Sequence, residues 1–144
     1  MGRTSNRNDA SDPRLGRIVV VEDDAIFALA IEDTLRAAGA REVVLCPTAA
    51  CAVTAFGAMR PDGVVLDIHL ADSDEGWELA ELIPLIGAPP PRIVFSTGMP
   101  DAIPERIAAL GPVLTKPYDP AELVRALRAN SRPGLLARIR STLR

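Results

Sequence analysis

The fold of this chain is decided by residues 18–24, whose sequence is IVVVEDD. Four β-branched residues in a row, followed at once by three carboxylates, predict a strand that is buried on both faces and ends at a polar edge. Comparable apolar runs recur at 43–46, 64–66, 93–95 and 113–114. Because these runs are continuous rather than alternating with polar residues, they are typical of strands in a parallel sheet covered on both sides.

Helical patterns follow these runs, at 25–38, 48–59, 74–83, 101–110 and 120–130. Gly39 is suited to end the first helix, and Thr48 is suited to cap the second. We expect the fourth helix to be short, because Pro100 and Pro104 interrupt it. Five strand–helix units in succession predict an α/β protein with a doubly wound parallel sheet.

The length and composition of the chain suit one globular domain. It has 144 residues, of which 48% are hydrophobic and 24% are charged. We place the domain at residues 15–130, after a disordered polar tail at 1–14 and before an amphipathic extension at 131–144, with no room for a separate output domain. The apolar runs are too short to span a membrane and no signal peptide is evident, so a cytoplasmic protein is expected.

Charge and cysteine content narrow the possible partners. A net charge of −3 argues against nucleic acid as the main partner. Cys46 and Cys51 lack metal-ligand or redox spacing, and we expect two buried thiols in a reducing compartment. Lys116 is the one lysine among sixteen basic residues, which suggests a position that requires a compact ammonium group.

Polar side chains follow four of the predicted strands. Glu22 and Asp23 come after the first strand, Asp67 after the third, Thr97 after the fourth and Lys116 after the fifth. The carboxyl ends of parallel strands meet at one edge of the sheet, where α/β proteins bind ligands. Each residue alone has a structural explanation, such as a helix cap or a turn, but their coincidence at one edge favours a functional site.

The residue types at this edge indicate phosphoryl transfer. Clustered carboxylates repel one another, and Mg²⁺, which prefers oxygen ligands, relieves that repulsion. Asp67 is the candidate nucleophile, because a carboxylate can form an aspartyl-phosphate. Thr97 and Lys116 would then each bind an oxygen of the transferred group.

Four segments together resemble the receiver domain of two-component response regulators over about residues 17–130. They are IVVVEDD at 18–24, VVLD at 64–67, Thr97-Gly98 and Lys116-Pro117. The resemblance implies a flavodoxin-like, five-stranded parallel sheet of order 2-1-3-4-5 with five flanking helices. It also implies a bacterial phosphoprotein that assists its own phosphorylation and dephosphorylation without otherwise being an enzyme.

The resemblance assigns a role to each residue of the candidate site. Asp67 is the phosphoacceptor and a Mg²⁺ ligand, Asp23 is a direct Mg²⁺ ligand, and Glu22 acts through water. The backbone carbonyl of His69 is a further ligand. The hydroxyl of Thr97 moves toward the phosphoryl group, and Lys116 forms an ion pair with it. Ser96 is the alternative to Thr97, which is preferred for its Thr-Gly pair and its spacing of thirty from Asp67.

Several positions depart from the family pattern. Val113 occupies the place of the usual aromatic switch residue, and the loop at 70–76 is one residue longer than usual. The run FSTGM at 95–99 is similar to the FAT GUY subgroup of stand-alone receivers, although Pro100 replaces that subgroup's Tyr. We expect phosphorylation to order the region 97–106 instead of turning an aromatic ring. A candidate output surface is formed by Ile103, Ile107 and Leu110 and continues along the tail at 131–144.

The resemblance also defines the expected partners. The donor would be a histidine kinase of the HWE or a related class, or a histidine phosphotransfer protein. A downstream protein would bind the phosphorylated form, and the receiver itself would be a monomer or weak dimer. Three alternatives remain: a phosphate sink or phosphorelay shuttle, a small phosphatase of the haloacid dehalogenase type, and a pseudo-receiver that only binds proteins. The phosphatase would need a second Asp at the position of His69.

Overall fold

The computed structural model describes residues 15–68 and 75–129. Its strands are β1 (Arg17–Val21), β2 (Glu42–Cys46), β3 (Gly63–Leu66), β4 (Arg92–Thr97) and β5 (Val113–Thr115). Its α-helices are α1 (Ala25–Ala37), α2 (Ala49–Ala58), α3 (Glu75–Leu82), α4 (Glu105–Ala108) and α5 (Pro120–Ala129). Single 3₁₀ turns occupy Ile83–Leu85 and Pro100–Ala102. The predicted tails at 1–14 and 131–144 lie outside the described residues.

The strands form one parallel sheet of order β2-β1-β3-β4-β5. This confirms the predicted five-stranded, doubly wound α/β fold. Alternate side chains of the strands enter two cores, one on each face of the sheet. One core packs against α2, α3 and α4, and the other packs against α1 and α5. The sheet is therefore covered on both faces, which explains why its strands are continuously apolar.

Local sequence signals explain where the first two helices begin. The carboxylate of Asp24 accepts hydrogen bonds from the backbone N–H groups of Ile26 and Phe27 at 3.0 and 3.1 Å, and so caps α1. The hydroxyl of Thr48 caps α2 by accepting the N–H of Cys51 at 3.0 Å. Within the described residues no helix is long and apolar enough to cross a membrane.

The region of the fourth helix differs from its prediction. The α-helix covers only Glu105–Ala108, because Pro100 starts a separate 3₁₀ turn and Pro104 forces a new helix start. The predicted output surface is wrong in its central residues. Ile103 and Ile107 are buried in the core against the sheet, because so short a helix must place its apolar side chains inward.

A buried arginine joins the strands and a helix at the amino end of the sheet. The guanidinium of Arg92 donates to three backbone carbonyls: Asp62 O at 3.0 Å, Leu127 O at 3.1 Å and Leu15 O at 2.8 Å. Leu127 belongs to α5. Arg92 therefore ties this helix to the strands.

Candidate functional site

The ends of β1 and β3 position two buried carboxylates side by side. The N–H of Glu22 donates to Cys46 O at 3.0 Å, and the N–H of Asp67 donates to Val21 O at 2.9 Å. These bonds continue the sheet one residue beyond the strands and fix both backbones. Glu22 and Asp67 are only 4% and 7% exposed, whereas the neighbouring Asp23 is exposed.

The three carboxylates of this edge fit a divalent cation. Glu22, Asp23 and Asp67 each offer an oxygen within 4.8 Å of the others. Such a set of hard oxygen donors, two of them buried and one open to solvent, suits Mg²⁺, which retains several of its waters. His69, whose carbonyl is a predicted ligand, lies outside the described residues.

Lys116 contacts both buried carboxylates. Its Nζ lies 2.8 Å from Glu22 Oε1 and 3.3 Å from Asp67 Oδ2. The backbone N–H of Lys116 donates to Thr97 O at 2.7 Å, and the Lys116-Pro117 peptide bond is cis. The single lysine of the chain is therefore held at the acidic cluster by both its backbone and its side chain.

The charges of the site are not balanced by its own residues. Burial raises the pKa of Glu22, and its hydrogen bonds to Lys116 and Asp24 offset this only in part. Burial acts to lower the pKa of Lys116, but its hydrogen bond to Glu22 and the charge of Asp67 outweigh that effect and raise it. One ammonium faces three carboxylates, so the excess negative charge favours a cation.

Both oxygens of Glu22 are already engaged. Oε1 accepts from Lys116, and Oε2 accepts the backbone N–H of Asp24 at 3.0 Å. A direct bond from Glu22 to a metal would compete with one of these hydrogen bonds. The arrangement suits a Glu22 that binds a metal-bound water, while the exposed Asp23 can bind a metal directly.

Ser96 and Thr97 are the last residues of β4 rather than residues following it, and both are fully buried. Successive strand residues point to opposite faces, so the two hydroxyls have different surroundings. Thr97 Oγ1 accepts the N–H of Met99 at 2.9 Å. Ser96 Oγ lies 2.8 Å from the hydroxyl of Tyr118. The hydroxyl of Ser96 is therefore already engaged with a side chain, whereas the Thr97 hydroxyl bonds only to a local turn.

Two aromatic residues that the sequence analysis missed adjoin the site. Lys116 Nζ lies 4.6 Å from the centre of the Phe27 ring, a cation–π contact. The rings of Phe27 and Tyr118 meet edge to face, 5.9 Å apart. Burial raises the pKa of Tyr118, so its phenol remains protonated and able to share a hydrogen bond with Ser96. No motif in the sequence points to these contacts, because Phe27 is distant in sequence from both Lys116 and Tyr118.

The structure thus brings together most of the residues predicted for the site. The carboxylates of Glu22, Asp23 and Asp67 and the ammonium of Lys116 share one end of the sheet. Thr97 is joined to Lys116 through the backbone. Chemically, the site offers a nucleophilic carboxylate, oxygen ligands for a cation and an ammonium able to bind a phosphoryl oxygen.

Solved structures with the same fold come from several bacteria. A response regulator receiver protein from Sinorhizobium medicae is 28% identical, with a TM-score of 0.67 over 79% of this chain and 92% of that chain. One from Burkholderia phymatum is 26% identical, with a TM-score of 0.66 over 80% and 94%. The receiver domain of a sensor histidine kinase from Pseudomonas aeruginosa PAO1 is 28% identical, with a TM-score of 0.64 over 78% and 94%. That structure has a magnesium ion coordinated in its active site cleft.

The family comparison covers nearly the whole described domain. The family model for the response regulator receiver domain matches residues 18–128, a span that contains every residue of the acidic cluster, Thr97 and Lys116. No curated protein matches the chain significantly. The similarity to the FAT GUY subgroup stays a prediction. The fold, the arrangement of the site and the extent of the match agree, and the chain belongs to the response regulator receiver domain family.

Proposed function

We propose that Asp67 accepts a phosphoryl group from a histidine kinase or a histidine phosphotransfer protein, and that the phosphorylated form signals through protein contacts. The observation that carries this proposal is the placement of Asp67. Its carboxylate is buried between the acidic neighbours Glu22 and Asp23 and the ammonium of Lys116. A nucleophile in this position has both a cation site and a positive side chain next to the incoming group.

The transfer follows from these contacts. An oxygen of Asp67 attacks the phosphorus, and the bond from phosphorus to the donor's imidazole nitrogen breaks, its electron pair remaining with the imidazole. Lys116 moves from Asp67 toward a phosphoryl oxygen, while the hydroxyl of Thr97 donates to another. Mg²⁺, when held by Asp23 and Asp67 directly, by Glu22 through water and by the predicted His69 carbonyl, supplies positive charge to the phosphoryl oxygens.

Exposed apolar residues next to the site support docking of a protein donor. Ile26 is 81% exposed and Leu29 is 56% exposed, and both lie on α1 shortly after Asp23. Large apolar side chains exposed to solvent on a helix are favourable contacts for a partner helix. A donor that covers them would bring its phosphohistidine to the edge that holds Asp67.

The finer features of the function are part of the same proposal. We propose a stand-alone, cytoplasmic regulator, monomeric or weakly dimeric, that does no chemistry beyond its own phosphorylation and dephosphorylation. Its kinase would belong to the HWE or a related class. Detection of the native protein at the size of this chain, by immunoblot of a soluble cell extract, tests the stand-alone form directly.

The output step would begin at Thr97. Its hydroxyl now accepts the N–H of Met99, and turning toward a phosphoryl group would release that bond. The segment from Met99 through the short α4 would then rearrange, as in other switches driven by new phosphate contacts. Hydrogen exchange with and without a phosphoryl mimic should change at 98–110. Unchanged exchange there, with Asp67 still required in cells, would favour a phosphate sink without an output surface.

Beryllofluoride, a mimic of the aspartyl-phosphate, tests the site itself. Amide NMR spectra of the full chain should shift at Asp67, Thr97 and Lys116 when beryllofluoride and Mg²⁺ are added together. Asp67→Asn should abolish these shifts, because the bond to beryllium requires the carboxylate. Asp33→Asn, a change on the exposed side of α1, is the matched control and should leave them intact. Absence of shifts in the wild type would contradict the proposal and favour a pseudo-receiver.

A further inference from the structure

The two cysteines of the chain lie in contact next to the acidic cluster. Cys46 is the last residue of β2 and is 1% exposed, whereas Cys51, in the first turn of α2, is partly exposed. Their sulfur atoms are 2.8 Å apart. Cys46 is thus the buried thiol that the sequence predicted, but Cys51 remains open to solvent. Nothing in the proposed phosphoryl transfer uses either of them.

The contact follows from the way β2 leads into α2. Pro47 and Thr48 form the turn, and the Thr48 hydroxyl holds the N–H of Cys51. The first turn of the helix is thereby fixed over the end of the strand, and a spacing of five residues becomes a direct sulfur contact. A disulfide has a sulfur–sulfur bond of about 2.05 Å, so bond formation requires an approach of under about 1 Å.

We propose that Cys46 and Cys51 form a redox modification site, at which a hydroperoxide converts the two thiols into a reversible disulfide that is sensed at Glu22. Cys51 reacts first because it is the accessible sulfur. Its thiolate attacks the O–O bond of the hydroperoxide, giving a sulfenic acid and releasing water or an alcohol. The sulfur of Cys46 then attacks that of Cys51, the S–S bond forms, and hydroxide leaves.

The second step is balanced by the proton of Cys46. The Cys46 thiol loses its proton as its sulfur attacks that of Cys51. That proton leaves with the departing hydroxide as water. In total the two thiols lose two protons and two electrons, and the hydroperoxide gains them. Cys46 is suited to the resolving role, because it is shielded from external oxidant and touches the sulfur that is oxidised first.

The disulfide would act on the edge of the sheet that carries the acidic cluster. The carbonyl of Cys46 accepts the backbone N–H of Glu22 at 3.0 Å. A bond between Cys46 and Cys51 ties this carbonyl to the first turn of α2. A change in the position of the carbonyl is transmitted to the Glu22 amide by their shared hydrogen bond.

The test is oxidation of the reduced full chain with hydrogen peroxide. Tryptic cleavage after Arg41 and Arg92 releases peptide 42–92, which contains both cysteines, because Pro61 blocks cleavage after Arg60. After oxidation this peptide should resist alkylation and be lighter by two hydrogens, and a dithiol reductant should restore both thiols. The Glu22 amide resonance should shift on oxidation and return on reduction.

Two variants define the order of the steps. With Cys46→Ser, Cys51 should accumulate as a sulfenic acid that dimedone traps. With Cys51→Ser, the buried Cys46 should remain unmodified under the same exposure. Two alkylatable thiols in oxidised wild-type protein, a disulfide only between chains, or oxidation of Cys51 to the sulfinic acid without a disulfide would each overturn the modification site. An unmoved Glu22 resonance with a formed disulfide would overturn its coupling to the acidic cluster.

Discussion

The two ends of the sheet each hold a basic side chain, with very different partners. At the amino end, Arg92 is buried and donates to three neutral backbone carbonyls. At the carboxyl end, Lys116 is 24% exposed and contacts the carboxylates of Glu22 and Asp67. Arg92 keeps its backbone carbonyl partners as long as the protein is folded. The carboxylates can release Lys116 when another anion arrives. The contacts at the amino end are therefore permanent, whereas those at the carboxyl end can be exchanged.

The chemistry of the two side chains matches this division. A guanidinium carries several donors in a rigid plane and can bond three fixed acceptors at once. An ammonium on a flexible stem can change acceptors with little movement of the backbone. Substitutions at the amino end should therefore mainly change stability, and substitutions at the carboxyl end should mainly change the response to phosphorylation.

The largest expected effect is that of Arg92→Met. It removes the side-chain donor of three carbonyls at the amino end, of which Asp62 O keeps its hydrogen bond from the backbone N–H of residue 92, and should lower the free energy of unfolding by about 3 kcal/mol. Urea denaturation measures the loss, and Arg125→Met, on the exposed face of α5, is the matched control. The folded variant should still respond to beryllofluoride. A loss below that of the control would show that Arg92 does not anchor the amino end.

Lys116→Met should have a smaller effect on stability and a larger one on the switch. Because its carboxylate partners are buried while Lys116 is itself partly exposed, we expect a loss of about 2 kcal/mol in the absence of Mg²⁺. Mg²⁺ should bind several-fold more tightly, since a competing positive charge is gone, while the beryllofluoride response disappears. Lys116→Arg is the control: it keeps the charge and should leave Mg²⁺ affinity nearly unchanged. Titration followed by Trp77 fluorescence measures both, and weaker Mg²⁺ binding by Lys116→Met would contradict the exchange role.

The hydrogen bond between Ser96 and Tyr118 tests whether the carboxyl end of the sheet also contains permanent contacts that contribute to stability. Tyr118→Phe removes the bond and keeps the ring, so the expected loss of stability is about 1 kcal/mol. Ser96→Ala should remove the same bond, and the double variant should cost less than the two single losses added together. Thermal or urea denaturation of the single and double variants measures these losses. If the losses of the two single variants add up fully in the double variant, the two hydroxyls do not interact.

The smallest expected effect belongs to an exposed ion pair at the amino end of the sheet, at the first residues of β1 and β2. Glu42 lies 3.4 Å from Arg17, and both side chains are about half exposed. Glu42→Gln should change stability by about 0.5 kcal/mol or less, and added salt should reduce even that difference. A change as large as that of Lys116→Met would show that surface pairs, too, contribute to the stability of the sheet.

The carboxyl end was more predictable from sequence than the amino end. Glu22, Asp67 and Lys116 directly follow strands, so the topology of a parallel sheet places them together without any knowledge of side-chain packing. Arg92 directly precedes the apolar run at 93–95 and belongs to no motif, and its three acceptors are distant in sequence. The contacts of Phe27 and Tyr118 were missed for the same reason.

The fourth helix and the cysteines show the limits of local patterns. Prolines predicted that α4 would be short, but not that Ile103 and Ile107 would be drawn into the core. The spacing of Cys46 and Cys51 matches no motif, and only the turn between β2 and α2 brings their sulfur atoms together. Neither the burial of these isoleucines nor the sulfur contact can be predicted from the periodicity of apolar residues in the sequence.

Because the chain has a single lysine, the carboxyl end of the sheet can be modified selectively by amine-directed reagents. Lys116 is the only ε-amine in a chain of 144 residues. An amine-directed acyl label that modifies a side chain of this protein can therefore sit in one place, beside the nucleophilic carboxylate. Acylation there, whether by a laboratory reagent or by a cellular acetyltransferase, would remove the positive charge on which phosphoryl binding depends. In this protein, tagging a lysine and disabling the switch would be the same event.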